Sequence, residues 1–269
     1  MVGQATARLE PLPRRWIQTV WGHGDIDMRQ KWWALWPHLS KLPTTGLHVL
    51  DAGCGAGRWV LELAARRPQW QVQGIDRDRG TITEAERTRQ RLGVENVSFL
   101  QCDYFAFEPQ QRFDAVLAVS SAHYQAERGE GAQLFRRFAR WLKPGGHIIL
   151  LDTRWEGCSP FFSWLPHPQH YHDCFSFEEL SRNCEMNGLT VEQLHGHLGP
   201  FGIAAKQLGW MTSGRPTPAC DEPSRVRVLH PALYPARYAL AWLDSLRHFR
   251  RDELTLMWVL VARASSTIL

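Results

Sequence analysis

The chain has 269 residues, 44% of them apolar, and a net charge of +4, enough length to bury something like three quarters of its unfolded surface in one domain with a cap. Its basic residues are scattered, without a long run of like charge, which argues against a nucleic-acid partner. The six cysteines show no C-x-x-C spacing, no apolar leader follows the first arginines, and no run of about eighteen apolar residues occurs, so the expectation is a reduced, soluble, cytoplasmic protein without zinc or disulfides.

Residues 1–44 are rich in tryptophan. From Asp25, a cap residue, Trp32, Leu35, Trp36 and Leu39 recur at three- and four-residue spacing, which predicts a helix with that stripe facing the core. An apolar strand then runs into Asp51-Ala52-Gly53-Cys54-Gly55-Ala56-Gly57, followed by a helical stretch, Arg58 to Arg67. Glycines at alternate positions fold the turn tightly and let backbone N–H groups approach a ligand, while the helix directs its positive end there. The D-x-G-x-G-x-G spacing departs from the dinucleotide G-x-G-x-x-G, whose third glycine would fall at Arg58, and so argues against NAD. About twenty residues on, a strand from Gln71 to Ile75 ends at Asp76, a carboxylate placed to accept from both ribose hydroxyls. The pair reads as an adenosine site.

Further elements follow in order. Thr81 to Leu92 is a charged, solvated helix; Val97 to Gln101 is a strand ending in Cys102-Asp103-Tyr104; Phe113 to Ser120 is a long apolar strand. Gly131 to Trp141 carries Leu134, Phe135, Phe138 and Trp141, with Leu142, on one face of a helix that the Leu142-Lys143-Pro144-Gly145-Gly146 run is expected to close, before a strand from His147 to Leu151.

These ordered motifs, over about residues 45 to 155, resemble the class I (Rossmann-like) S-adenosylmethionine (SAM) dependent methyltransferases. The resemblance implies an α/β fold: a seven-stranded, mostly parallel, doubly wound sheet, with five parallel strands and a last pair that includes one antiparallel strand. The resemblance covers a SAM-binding core (45–155) and places the N-terminal helical segment (1–44) as a lid; the residues beyond the core read as an aromatic substrate lid with a helix and sixth strand (156–199), an inserted helical cap where the family would turn almost at once into its last strand (200–252), and that last strand (253–269). SAM is the implied cofactor and S-adenosylhomocysteine the product. By position Gly53, Gly55 and Gly57 would contact the methionine part, with Asp51 orienting the loop or meeting the amino group. Asp76 would hold the ribose, Asp103 would accept from the adenine amino group, Arg77 and Tyr104 would cover the ring faces, and Ser120 would lie beneath the methyl group.

Beyond Asp152 the chain is crowded with rings, among them Trp155, Phe161, Trp164, His167, His170, Tyr171 and His172, as in a loop lid at the carboxyl ends of parallel strands. Ser176 with Glu179 marks the start of a helix to Asn187, and Leu189 to His197 is a strand. An insertion then offers a helix from Ile203 to Met211, a proline-rich connection, and an amphipathic helix from Ala236 to Arg250. In the last, Ala239, Trp242, Leu243 and Leu246 would pack and Arg237, Arg247, His248, Arg250 and Arg251 would face water, a membrane surface being the less favoured alternative. In the N-terminal segment, Trp21, His23, Arg29 and Lys31 are candidates to meet cofactor or substrate.

Methyl transfer needs alignment and a base more than an oxyanion hole. His123, just past Ser120, is the best placed titratable group, followed by His170 and its neighbours. The D/N-P-P-Y/F sequence of DNA-base amine methyltransferases is replaced by Ser120-Ser121-Ala122-His123-Tyr124, and no acidic residue directly follows Val119, where magnesium-binding catechol-type relatives carry one. The expectation is metal-independent transfer to oxygen, less readily to nitrogen or carbon, of a small hydrophobic or aromatic metabolite. The alternatives are an RNA or protein methyltransferase, and a protein of this fold that binds SAM as a scaffold, cyclase or isomerase.

Overall fold

The computed structural model describes residues 25–153, 175–213, 234–246 and 257–266. Helix α1 (Asp25–Leu39) precedes strand β1 (His48–Ala52); then follow α2 (Arg58–Arg66), β2 (Gln71–Asp76), α3 (Arg79–Leu92), β3 (Val97–Gln101), β4 (Phe113–Val119), α4 (His123–Glu127), α5 (Gly131–Trp141) and β5 (Leu142–Thr153). The remaining described elements are α6 (Phe177–Met186), β6 (Leu189–His197), α7 (Pro200–Ser213), α8 (Tyr234–Ser245) and β7 (Met257–Ala264). The seven strands form one sheet in the order β3-β2-β1-β4-β5-β7-β6. The first five are parallel, and β7 runs antiparallel between β5 and β6, as expected.

The central strands are apolar on both faces, and their two-residue period sorts them into two cores. Val49, Leu117, Ile149 and Val259 face α1 and α2, whereas Leu50, Val116, Ile148 and Leu260 face α5 and α6, where Phe135, Phe138, Trp141 and Leu180 are fully buried. On the first face Trp32 stacks between Trp36 and Trp59, at 5.2 Å from each, and the Arg66 guanidinium lies 4.6 Å from its ring centre. That arrangement docks α1 on α2 through apolar area and cation–π attraction together. The predicted stripe of α1 does face the core.

Helix α6 begins as the sequence indicates, with reciprocal bonds between Ser176 and Glu179. Two expectations are corrected. The Leu142-Lys143-Pro144-Gly145-Gly146 run does not close α5; it opens β5. Its partner register jumps from Phe113–Leu142 to Ala115–His147, so the extra residues bulge out, with Gly145 at a φ of 75°.

The second concerns α8. Ala241 and Asp244 are buried, while Trp242 is 49% exposed and Ala239 is exposed too. The reason is polar demand from α7: Asp244 Oδ2 accepts from the Gly199 amide at 3.1 Å, and Arg237 Nε donates to the Ala205 carbonyl at 3.0 Å. Buried backbone groups require partners, so the face carrying Arg237, Ala241 and Asp244 turns inward and Arg237 does not lie on a solvated basic face. Arg247, His248, Arg250 and Arg251 lie outside the described residues, as do Trp21, His23 and the aromatic segment 154–174 with His167, His170 and His172. Among the described residues no helix is long and apolar enough to cross a membrane.

Candidate active site

Strands β1, β2 and β4 bring their carboxyl ends together at the glycine turn. Gly53, Gly55 and Gly57 have φ of 78°, 53° and 75°, the left-handed region where a side chain costs energy. Their surroundings differ. A Cβ on Gly53 would collide with Tyr104 Oη and Ser121, and one on Gly57 would meet Phe99 at 2.6 Å, whereas one on Gly55 would have nothing within 4 Å among the described residues. Gly55 therefore stands at the open vertex of the turn, and the other two are glycine because the protein packs against them.

The turn is rigid because its amides are committed. Gly53 and Cys54 both donate to the Ile75 carbonyl at 2.9 Å, Gly57 donates to Cys54 at 3.0 Å, and Gly55 donates to Asp76 Oδ2 at 2.8 Å. Asp76 Oδ1 accepts from the Asp78 amide at 2.9 Å. Each carboxylate oxygen still has a lone pair for another donor. Helix α2 starts at Gly57 without a side-chain cap, so its positive end is directed at the opening.

Asp51 is 1% exposed, and among the described residues neither of its carboxylate oxygens has a hydrogen-bond partner. Burial, reinforced by the negative charge of Asp76, pushes its carboxyl up to about 7. An orphaned acid this deep is costly unless a donor or cation completes it, and the amino group of a methionine moiety supplies both. The residues present fit SAM at this point.

Asp103 Oδ1 accepts from the Phe105 amide at 2.9 Å, fixing the turn after β3, and Arg77, the residue after Asp76, is exposed. Tyr104 is corrected: it does not stand out as a ring cover. It is 9% exposed, edge-on to Phe138 and beneath Gly53, and burial raises its phenol above the usual range. The apolar neighbours on α5 draw it inward, where it buttresses the glycine turn.

At the end of β4, Ser120 has a φ of 55°, rare for a residue with a side chain, and donates its amide to Leu151 at 2.8 Å. Left-handed backbone at a non-glycine costs about 1–3 kcal/mol and tends to persist where function requires the kink. The kink turns the chain so that Ser121 Oγ donates to Ala52 at 2.7 Å beneath the turn. His123, 5% exposed, has its Nδ1 2.6 Å from Asp152 Oδ1, and Tyr124 lies with its ring 4.1 Å away. Asp152 Oδ2 accepts from the amides of Ala122 and His123 at 2.7 and 3.0 Å. Sequence reasoning missed Asp152 and Ser121; the available signal was the position of Asp152 at the carboxyl end of β5, where open α/β sheets bind ligands.

The sheet order, the open glycine vertex and the acid at the end of β2 define a Rossmann-like methyltransferase fold. The methyltransferase-domain family matches residues 43–214, more than half of the chain, and the chain belongs to this class I family, whose cofactor is SAM. It is 31% identical over 168 residues to the ubiquinone biosynthesis O-methyltransferase of Nitrobacter winogradskyi, covering 58% of this chain and 62% of that protein. It is 32% identical over 158 residues to the release factor glutamine methyltransferase of Escherichia coli, covering 59% and 50%. The chain thus spans about half to three fifths of the length of these curated relatives.

Among solved structures, a putative sarcosine dimethylglycine methyltransferase from Galdieria sulphuraria superposes with a TM-score of 0.60 at 15% identity, over 95% of this chain and 99% of the other. The [4+2]-cyclase SpnF superposes at 0.55 with 21% identity, over 83% and 76%. At these identities the likeness is one of fold.

Proposed function

We propose that this protein transfers a methyl group from SAM to an oxygen of a small hydrophobic or aromatic molecule, with His123 taking the acceptor's proton. The observation that carries the reading is an open glycine vertex together with a buried carboxylate, Asp51, that has no hydrogen-bond partner among the described residues, and a carboxylate-anchored histidine at the start of α4, just past strand β4. Bound SAM supplies a methyl carbon made electrophilic by its sulfonium.

The chain's residues do the rest. Asp51 takes the amino group, Asp76 receives the ribose hydroxyls on its remaining lone pairs, and Asp103, with the exposed Arg77, serves the adenine end. Ser120 sets the floor beneath the methyl group. His123 would orient the acceptor hydroxyl and receive its proton. The N. winogradskyi relative is by name an O-methyltransferase, which supports oxygen. The release factor relative acts by name on glutamine, and nothing in this site distinguishes a protein acceptor in its favour. The metal-independent character rests on the sequence, where no acid directly follows Val119.

The test is calorimetric titration with SAM, S-adenosylhomocysteine and NAD, followed by a screen of phenols for S-adenosylhomocysteine release. Binding of the sulfur nucleotides alone, with release on adding a phenol, supports the reading. Failure to bind either sulfur nucleotide overturns it, and tight binding without product from any acceptor replaces it with the scaffold or cyclase reading.

A further inference from the structure

We infer that Asp152 is the positioning residue of the proposed transfer, holding His123 in the tautomer with hydrogen on Nδ1 so that the basic lone pair lies on Nε2. The inference deepens the methyl-transfer reading and rests on it for its purpose. Its geometry is independent of any acceptor.

A carboxylate only accepts, so the 2.6 Å contact between Asp152 Oδ1 and His123 Nδ1 requires the hydrogen to be on Nδ1. The other oxygen is held by the amides of Ala122 and His123 at 2.7 and 3.0 Å. One carboxylate thereby fixes both the backbone and the ring of the same residue. The tertiary fold supplies the meeting: Val119 pairs with Leu151 across β4 and β5, and the kink at Ser120, whose amide bonds to the Leu151 carbonyl, turns the following amides toward Asp152.

Asp152 is 1% exposed. A buried carboxylate is suited to a ring that becomes positive during turnover. In the step, the acceptor hydroxyl's proton goes to Nε2, the oxygen's electron pair forms the new C–O bond, and the pair of the broken C–S bond stays on sulfur. The Asp152 carboxylate offsets the imidazolium charge, as the buried aspartate does in serine-protease triads.

The experiment is nitrogen NMR of the full chain labelled with 15N-histidine, with and without S-adenosylhomocysteine, His123 being assigned by loss of its signals in His123→Gln. Above neutral pH, Nδ1 of His123 should be protonated and Nε2 bare. Asp152→Asn keeps an oxygen for the two amides but presents NH2 to the ring, so the tautomer should reverse. With a phenol that the screen finds active, kcat in Asp152→Asn should fall by about 10²- to 10⁴-fold with KM for SAM unchanged.

Wild-type His123 protonated on Nε2 overturns the inference without need of any variant. A wild-type kcat in Asp152→Asn also overturns it, while continued S-adenosylhomocysteine release leaves methyl transfer standing. The expected tautomers with no methyl transfer to any acceptor support the positioning and sink the methyl-transfer reading instead.

Discussion

Asp76 Oδ2 accepts the Gly55 amide at 2.8 Å, joining the acid at the end of β2 to the open vertex of the glycine turn. The residue proposed to hold the ribose thus also sets the shape of the loop above the methionine end. Asp76→Asn should weaken S-adenosylhomocysteine binding at least tenfold, about 1.4 kcal/mol, and Asp76→Ala should weaken it more, because Gly55 then loses its acceptor. Calorimetry at constant ionic strength checks this; unchanged affinity in both variants would remove Asp76 from the site.

Asp51 makes cofactor binding pH-dependent. Its carboxyl is raised from the ordinary 3.8 to about 7, by burial first and the Asp76 charge second. A carboxyl raised in the folded state contributes stability that is full below its unfolded value and lost as pH climbs through about 7. The unliganded protein should therefore lose stability between about pH 4 and pH 7 through this group, with no further loss above that, while affinity for S-adenosylhomocysteine rises toward pH 7 as the carboxylate forms. Asp51→Asn should flatten both trends, and melting curves with titrations at several pH values test them.

Gly53 and Gly55 separate folding from binding. Gly53→Ala drives a methyl group into Tyr104 and Ser121 and should lower the melting temperature by several degrees, consistent with an overpacking cost of about 1–3 kcal/mol. Gly55→Val finds open space; its strain is the left-handed backbone alone, about 1–2 kcal/mol, yet its side chain occupies the cofactor's approach. A folded protein with no measurable SAM binding is expected, and retained affinity would show that the ligand enters elsewhere.

His123→Ala should leave SAM affinity within about twofold and lower kcat by about 10²- to 10⁴-fold for an oxygen acceptor. Steady-state rates set beside calorimetry separate the two effects. Normal turnover would end the proposed role of His123 as base.

Asn96 is a stability control away from the site. Its amide reaches three carbonyls, those of Ala64, Arg67 and Trp70, at 3.0–3.2 Å, closing the end of α2 against the start of β3. Asn96→Ala leaves part-buried acceptors unsatisfied and should cost about 1–3 kcal/mol without altering SAM affinity, as denaturant melts and a single titration would show.

Much of this molecule was legible in its chain because the signals are local. Alternate glycines between a strand and a helix specify a tight turn whatever surrounds them. The two-sided apolar runs of β1, β4 and β5 specify strands buried on both faces, and Ser176 with Glu179 marks a helix start within four residues. What only the tertiary structure decided depends on partners distant in sequence. Tyr104, next to Asp103 in the turn after β3, is drawn inward by Phe138; Trp242 faces outward because Arg237 and Asp244 must satisfy α7; Asp152 meets His123 only through the pairing of β4 with β5. Periodicity reports which residues of an element share a face, but not which face its neighbours require. That choice is made by buried polar groups seeking partners and by strand register, and neither is written in a window of adjacent residues.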